Sequence, residues 1–364
     1  MSWIGLTDLN VSAFDPEGVR PGSNRFCAAD DDAILPVGTL LLEAVFTARP
    51  RMPQRLIRLE RRAGWLRSLS VQLSAEGGLG VDLRQGEAQS HIHLNITPPP
   101  PGTCLRISYS WDAPGRKALL TVENLDQELV YQAEATAPLP LPLADLREIA
   151  LNRPSARFSR DIRYVAISDR VEPVGLPAGV AAGTPVETPH GPQFVERLRL
   201  GDMVLTWNGE ARPVRWIARR EVPALGRFRP VRLRAPYHGL TRDILCAPDH
   251  RIMVGGVEAE YLLGESSVLV DAAHLVDGRA VLRERPRAPT LCYYHLLLDS
   301  HECLNYAGLW GESLFVGAIG RSPELMATTA LAELPAGAIP RHTRFALPIL
   351  SGAEARSLTH SMSA

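Results

Sequence analysis

Cysteine is scarce. The five residues Cys27, Cys104, Cys246, Cys292 and Cys303 are odd in number and show no CxxC spacing. That disfavours a disulfide framework and a cysteine-based zinc site, so free, partly buried thiols are expected. Aromatic residues make up 6% of the chain and do not alternate with basic runs, and 39 Lys and Arg are balanced by 40 Asp and Glu for a net charge of -1. No nucleic-acid footprint is present, and no nucleic-acid partner is expected. The longer apolar runs, such as LLLEAVF and YHLLLD, fall far short of the ~18 residues a membrane helix needs. The amino terminus, MSWIGLTDLNVSAFDPEG, has no basic segment followed by an apolar stretch, so no Sec signal is read there. The expectation is a cytoplasmic protein, or one exported without a cleaved N-terminal signal, with no membrane partner.

What the chain does have is length and an ordinary globular composition. Its 364 residues, 45% hydrophobic and 22% charged, can bury a sizeable core and suit two domains with a tail. Residues 35–170 carry short alternating runs, including TLLLEAVFT, RLIRLE, LRSLSVQLS, HIHLNI, CLRISYSW, ALLTVEN and YVAISD. In CLRISYSW, Leu105, Ile107, Tyr109 and Trp111 fall on one strand face and Arg106, Ser108 and Ser110 on the other. Breaks at Gly77-Gly78, Pro98 to Gly102 and Asp112 to Gly115 separate the runs, a pattern of many short strands that predicts a β-sandwich or jelly roll. One helical patch, ADLREIALN, interrupts it. The Pro/Gly-rich VEPVGLPAGVAAGTP reads as a linker. Strands then resume, and near the carboxyl terminus Ser351 and Glu354 have the spacing of a capping box for a short helix. The whole reads as all-β, with a β-sandwich over residues 1–174, a second β-domain over 175–320, and a tail with a short helix over 321–364.

The LRISYSWDAP…ALLTVEN hairpin and the closing strand DIRYVAISDRVEPVG make the first domain resemble a concanavalin A-like (laminin G-like) jelly roll. A glycan or protein partner, if there is one, is expected on this domain. His91, His93, Asn95 and Trp111 are its exposed candidates. A glycosidase reading fails on spacing, because Glu123, Asp126 and Glu128 cannot all share a strand face where paired carboxylates must lie ~5–5.5 Å apart. Gly77-Gly78-Leu79-Gly80 lacks the following helix of a phosphate loop and reads as a turn.

In the second half, Val186 and Thr188 form a strand that stops at Pro189-His190-Gly191. Gly201-Asp202 is a turn pair, Val204 resumes a strand, and Asn208-Gly209 is a hairpin turn with Pro213 to Arg220 as its return strand. Three stretches, GTPVETPHGPQFVERLRLGDMVLTWNGEARPVRW, ILCAPDHRIMV and YYHLLLDSHECLNYAGLWGESLFVG, keep the order and the LxxGDxV and PxHRxxV signatures of a known pattern. They resemble the Hint (hedgehog/intein-type) self-processing domain, in the form fused to other modules in bacterial proteins.

The resemblance implies an autoproteolytic N–S acyl shift. In the family a Cys four residues before the Gly-Thr pair, here Gly183-Thr184, attacks the preceding peptide carbonyl. The matching position is Gly179, which has no side chain to acylate, and no cysteine lies between Cys104 and Cys246 to rescue a shifted alignment. The family role of Thr184 and Thr188 is structural, and a threonine nucleophile would need an activating group. The second element is Thr/Ser-x-x-His; His250 stands in place, but the hydroxyl position is Ala247. Loss of one preorganised donor typically costs ~10²–10³ in rate. His301 matches a histidine the family retains, and Glu312 with Ser313 its ESF-type ending.

A metal site at His295 and His301 does not fit strand or helix ligand spacing, so no metal and no cofactor is expected. There is no His-Asn pair for splicing. The chain is therefore expected to be a non-catalytic Hint-domain protein with a degenerate site, whose residual activity, if any, would be self-cleavage. The alternative is a carbohydrate- or surface-binding module with the Hint domain as scaffold. If only side chains are missing, Gly179→Cys with Ala247→Thr should restore thiol-dependent cleavage.

Overall fold

The computed structural model describes residues 2–8, 10–23, 33–48, 52–285 and 287–363. Cys27 lies outside them. The chain divides into two compact units, one of residues 1–173 with 288–290 and one of 174–287 with 291–364.

The first unit is a β-sandwich. Its larger sheet has seven strands, with Cys104–Asp112 between Lys117–Asn124 and Val37–Val45, and Ile162–Ser168 and Trp3–Thr7 continuing the array. The smaller has five, running from Ala156–Phe158 through Gln54–Ala63, Trp65–Leu73 and Gly78–Gln85 to Ala88–Asn95. Leu40, Leu42, Ile107, Tyr109 and Leu120 of one sheet and Leu56, Leu69, Val71, Val81 and Ile92 of the other form one core. Alternation explains the strands: along Ala88–Asn95, Ile92 and Leu94 are buried while His91, His93 and Asn95 face outward.

Trp111 departs from its expected exposure. It is fully buried, and its indole N–H donates to the Leu35 carbonyl at 3.0 Å. Trp111 shares the core-facing side of Cys104–Asp112 with Leu105, Ile107 and Tyr109, and the opposite side of the strand is buried as well. The polar face survives burial because its groups are paired: Arg106 donates to Glu43 at 2.9 Å and Ser110 lies 2.9 Å from Thr39. The helical patch forms Leu143–Ala150, with Leu146, Ile149 and Ala150 on the core.

The second unit holds two six-stranded sheets and a two-stranded ribbon. Thr290–Leu297 lies between Trp216–Pro223 and Val180–Ala181 in one sheet, while Arg251–Gly255 lies between Leu309–Glu312 and Ser267–Asp271 in the other. The return strand of the Asn208-Gly209 hairpin is shorter than its sequence pattern suggests. Met203–Leu205 pairs only with Ala211–Pro213, and Trp216–Pro223 joins the sheet of Thr290–Leu297 instead. The segment after residue 320 packs onto this unit, since Ala355 and Leu358 of the helix Gly352–Ser363 belong to its core. The capping box is formed: the Ser351 N–H and hydroxyl donate to Glu354 at 2.9 and 2.7 Å. Among the described residues, no helix is long and apolar enough to cross a membrane.

Candidate functional site

The site grows from the turn Ala247-Pro248-Asp249-His250, which leads into Arg251–Gly255. The His250 N–H donates to the Ala247 carbonyl at 3.1 Å, and the Ala247 N–H donates to the Gly179 carbonyl at 2.8 Å. Backbone bonding therefore ties the position before Val180 to the position three residues before His250. On the next element, Val180 lies opposite both Cys246 and Tyr294, placing Gly179 beside the strand that carries His295.

Gly179 marks a close backbone approach. A Cβ built there would sit 2.0 Å from the Tyr294 carbonyl oxygen and 3.0 Å from the His295 Cα. Both obstacles are main chain in a paired strand, so a side chain at 179 requires the strand itself to move. Restoring cleavage by replacing two side chains would therefore also require main chain to shift.

The surrounding side chains are almost all buried. His250, His295 and Glu312 have 0%, 1% and 1% of their surface exposed. The His250 ring stands edge-on to His295 with centroids 5.3 Å apart and edge-on to Tyr306 at 5.5 Å. Gly311 makes room for it, since a Cβ there would lie 3.0 Å from the His250 Nε2. Among the described residues, neither ring nitrogen of His250 or His295 makes a well-aligned hydrogen bond. An unsatisfied buried polar group costs about 1–3 kcal/mol, so this cluster is expensive as it stands.

Burial, reinforced by the neighbouring His295, pushes the His250 imidazole down to about 3 despite the pull of Glu312. Burial lowers His295 as well, against Glu312 and the nearby backbone at Pro177. Both rings are therefore neutral at pH 7. Burial alone would push the Glu312 carboxyl up, but hydrogen bonding to His301 and the charge of Arg251 outweigh it and hold the group at about 2. The Arg251 N–H donates to Glu312 Oε1 at 3.1 Å and its guanidinium to Oε2 at 3.3 Å. His301 Nδ1 accepts the Ala346 N–H at 2.9 Å, which leaves the proton of a neutral ring on Nε2, facing Glu312 Oε2 at 3.4 Å.

The structure thus brings Gly179, Ala247, His250 and His295 to one place, with Glu312 beside them and His301 behind Glu312. No nucleophile stands among them. The Thr184 hydroxyl donates to the Ala181 carbonyl at 2.7 Å and the Thr188 hydroxyl to the Gly191 carbonyl at 2.6 Å, so both hold local turns. Cys246 is the thiol nearest in register to Val180, but it lies in the core, and burial raises its pKa far above the ordinary thiol value. Burial and the charge of Glu312 push Cys303 up to about 12. Both therefore stay protonated and unreactive.

Arg251 and Tyr306 were not singled out in the sequence, although Arg251 is the Arg of the PxHRxxV run. In the first unit, the cleft lined by Arg58, Arg61, Arg62 and Arg157 was also missed. Alternation in RLIRLERR gave a signal, but the pairing of Arg58 with Arg157 across strands is not written in either segment alone.

A unit of two β-sheets with buried histidines where they meet defines the class. Residues 178–318 match the Hint domain family, so the second unit carries a Hint domain. Among solved structures, the bacterial intein-like domain from Clostridium thermocellum is similar at 18% identity, covering 37% of this chain and 99% of that one with a TM-score of 0.26. The CBM40 of Ruminococcus gnavus IT-sialidase, solved with alpha2,6 sialyllactose, is similar at 11% identity, covering 38% of this chain and 78% of that one with a TM-score of 0.28. The LG1-3 region of the laminin alpha2 chain is similar at 10% identity, covering 69% of this chain and 41% of that one with a TM-score of 0.26. No curated protein matches the chain.

Proposed function

We propose that the Hint domain of this chain does not cleave itself and serves as a rigid β-scaffold attached to the N-terminal sandwich. The observation that carries this reading is the 2.0 Å approach of a Cβ at Gly179 to the Tyr294 carbonyl oxygen. Formation of an acyl intermediate needs a thiol or hydroxyl at that point and a base or acid within reach. Gly179 offers no such group, the neighbouring hydroxyls are held by backbone carbonyls, and the neighbouring thiols are protonated. His250 remains where an amide-protonating acid would stand. Without the hydroxyl of a residue at 247 and without an attacking atom, it has no reaction to assist. Intact-mass analysis after incubation with dithiothreitol or hydroxylamine should give a single species near 39.8 kDa. Fragments divided at Ala178-Gly179 would refute the proposal.

A second reading places the protein's binding activity on the first unit. In the cleft of about 330 Å³ lined by Arg58, Glu60, Arg61, Arg62 and Arg157, Arg58 pairs with Glu60 at 2.8 Å and Arg61 with Asp145 at 3.2 Å, so the excess positive charge comes from Arg62 and Arg157. That excess of positive charge suits an acidic carbohydrate, because guanidinium forks pair with carboxylates in bidentate fashion. His91, His93 and Asn95 occupy the outer face of a different strand of the same sheet. Titration calorimetry with acidic and neutral oligosaccharides should show binding of the acidic ones alone, abolished by Arg62→Glu with Arg157→Glu. Equal binding of neutral sugars, or none of either, would remove this reading.

A further inference from the structure

We propose that His250, His295 and Glu312 form a site for a single divalent transition-metal ion of the zinc class, buried between the two large sheets of the Hint unit. One ligand atom from each of the three lies within 4.8 Å of the other two, and all three residues are buried. They come from separate segments: His250 precedes the strand Arg251–Gly255, Glu312 ends the strand Leu309–Glu312, and His295 lies on Thr290–Leu297 of the other sheet.

Three observations point to a cation. Neither ring nitrogen of His250 has a hydrogen-bond partner, and those of His295 make no well-aligned bond although the backbone at Pro177 and Glu312 is near, in a place sealed from water where a polar atom needs a partner. The Glu312 carboxylate is fixed by Arg251 and His301, the kind of outer support that orients a ligating carboxylate. The local charge also permits it: the carboxylates of Glu312 and Asp271 flank the Arg251 guanidinium, and Arg227 acts on Asp271, the carboxylate outside the proposed ligand set.

Zinc bonds of about 2.0–2.2 Å set tetrahedral ligand atoms about 3.3–3.5 Å apart. The cluster would therefore contract by about an ångström on loading, a distance within reach of side-chain rotation. Two His and one Glu supply three ligands, and burial leaves no route for a substrate, so the ion would brace the two sheets. A search for paired ligands within one segment could not find this set, since His295 and His301 are near in sequence but only His295 belongs to it.

The test uses tag-free full-length protein expressed in cobalt-supplemented medium, so that the ion can enter as the chain folds. Elemental analysis should give one cobalt per chain, with a visible absorption band distinct from that of aqueous cobalt. Replacing the exposed His91 and His93 by Ala should leave metal and spectrum unchanged, while His250→Gln and His295→Gln should each lose more than nine-tenths of the metal while keeping the wild-type circular dichroism. Protein free of stoichiometric metal, or a band that survives both Gln variants, would overturn the proposal. Should either variant fail to fold, X-ray absorption on the zinc-loaded wild type decides. Backscattering from two imidazoles supports the site, and its absence overturns it.

Discussion

At the scale of single residues, the second unit is governed by what can and cannot ionise. Glu312 keeps its charge in a buried place because Arg251 and His301 are arranged around it, and removing one member of such a set leaves the rest uncompensated. Arg251 keeps Asp271, but Glu312→Ala strips the Arg251 N–H and His301 of their acceptor and should cost about 1–3 kcal/mol, measured by urea denaturation. A loss below about 0.5 kcal/mol would mean that these groups find new partners. The thiols give a second residue-level test. Cys246 and Cys303 are buried and their pKa values are raised, whereas Cys104 and Cys292 are half-buried. Mass-mapped alkylation of the native protein at pH 8 should label Cys104 and Cys292 first and reach Cys246 and Cys303 only on unfolding. Early labelling of Cys246 would revive it as a nucleophile.

At the scale of elements, local chemistry was legible wherever it decided the structure. The alternation in CLRISYSW gives the strand Cys104–Asp112, the ADLREIALN patch gives the helix Leu143–Ala150, and the Ser351–Glu354 spacing gives a formed cap. Legibility ended where pairing is set by distant segments. Trp111 is buried in the core between the two sheets of the sandwich, and Trp216–Pro223 leaves its hairpin because Thr290–Leu297 offers a longer partner. The candidate site divides the same way. Its motif positions, Gly179, Ala247, His250 and His301, could be read from order and spacing. The backbone closure at Gly179 and the meeting of His250 with His295 and Glu312 could not, because strands remote in sequence create them. The carboxyl-terminal helix offers a direct check on this scale. Ser351→Ala removes its cap and should cost about 0.5–2 kcal/mol, seen as faster amide exchange across Gly352–Ser363. Unchanged exchange would show that the packing of Ala355 and Leu358 alone holds the helix.

At the scale of the whole molecule, two compact units succeed each other along one chain, and the exposed residues Asp169, Arg170 and Val171 lie at the end of the first. Limited trypsin digestion should accumulate the pair of fragments divided at Arg170, because linker backbone outside the sheets is the easiest to draw into a protease. Accumulation of fragments divided within Gln54–Leu73 or Arg251–Asp271 instead would place the boundary elsewhere. Whether the chain remains in one piece is also a property of the whole molecule, and it turns on the space at one backbone position. The most direct measurement is the intact mass of the Gly179→Cys, Ala247→Thr double variant after incubation with dithiothreitol. The Tyr294 carbonyl occupies the place a Cβ would need, so the variant should remain uncleaved or fail to fold, giving one species at the full-length mass. A folded variant that releases a fragment ending at Ala178 would contradict the account, because it would show that only the reacting side chains had been lost.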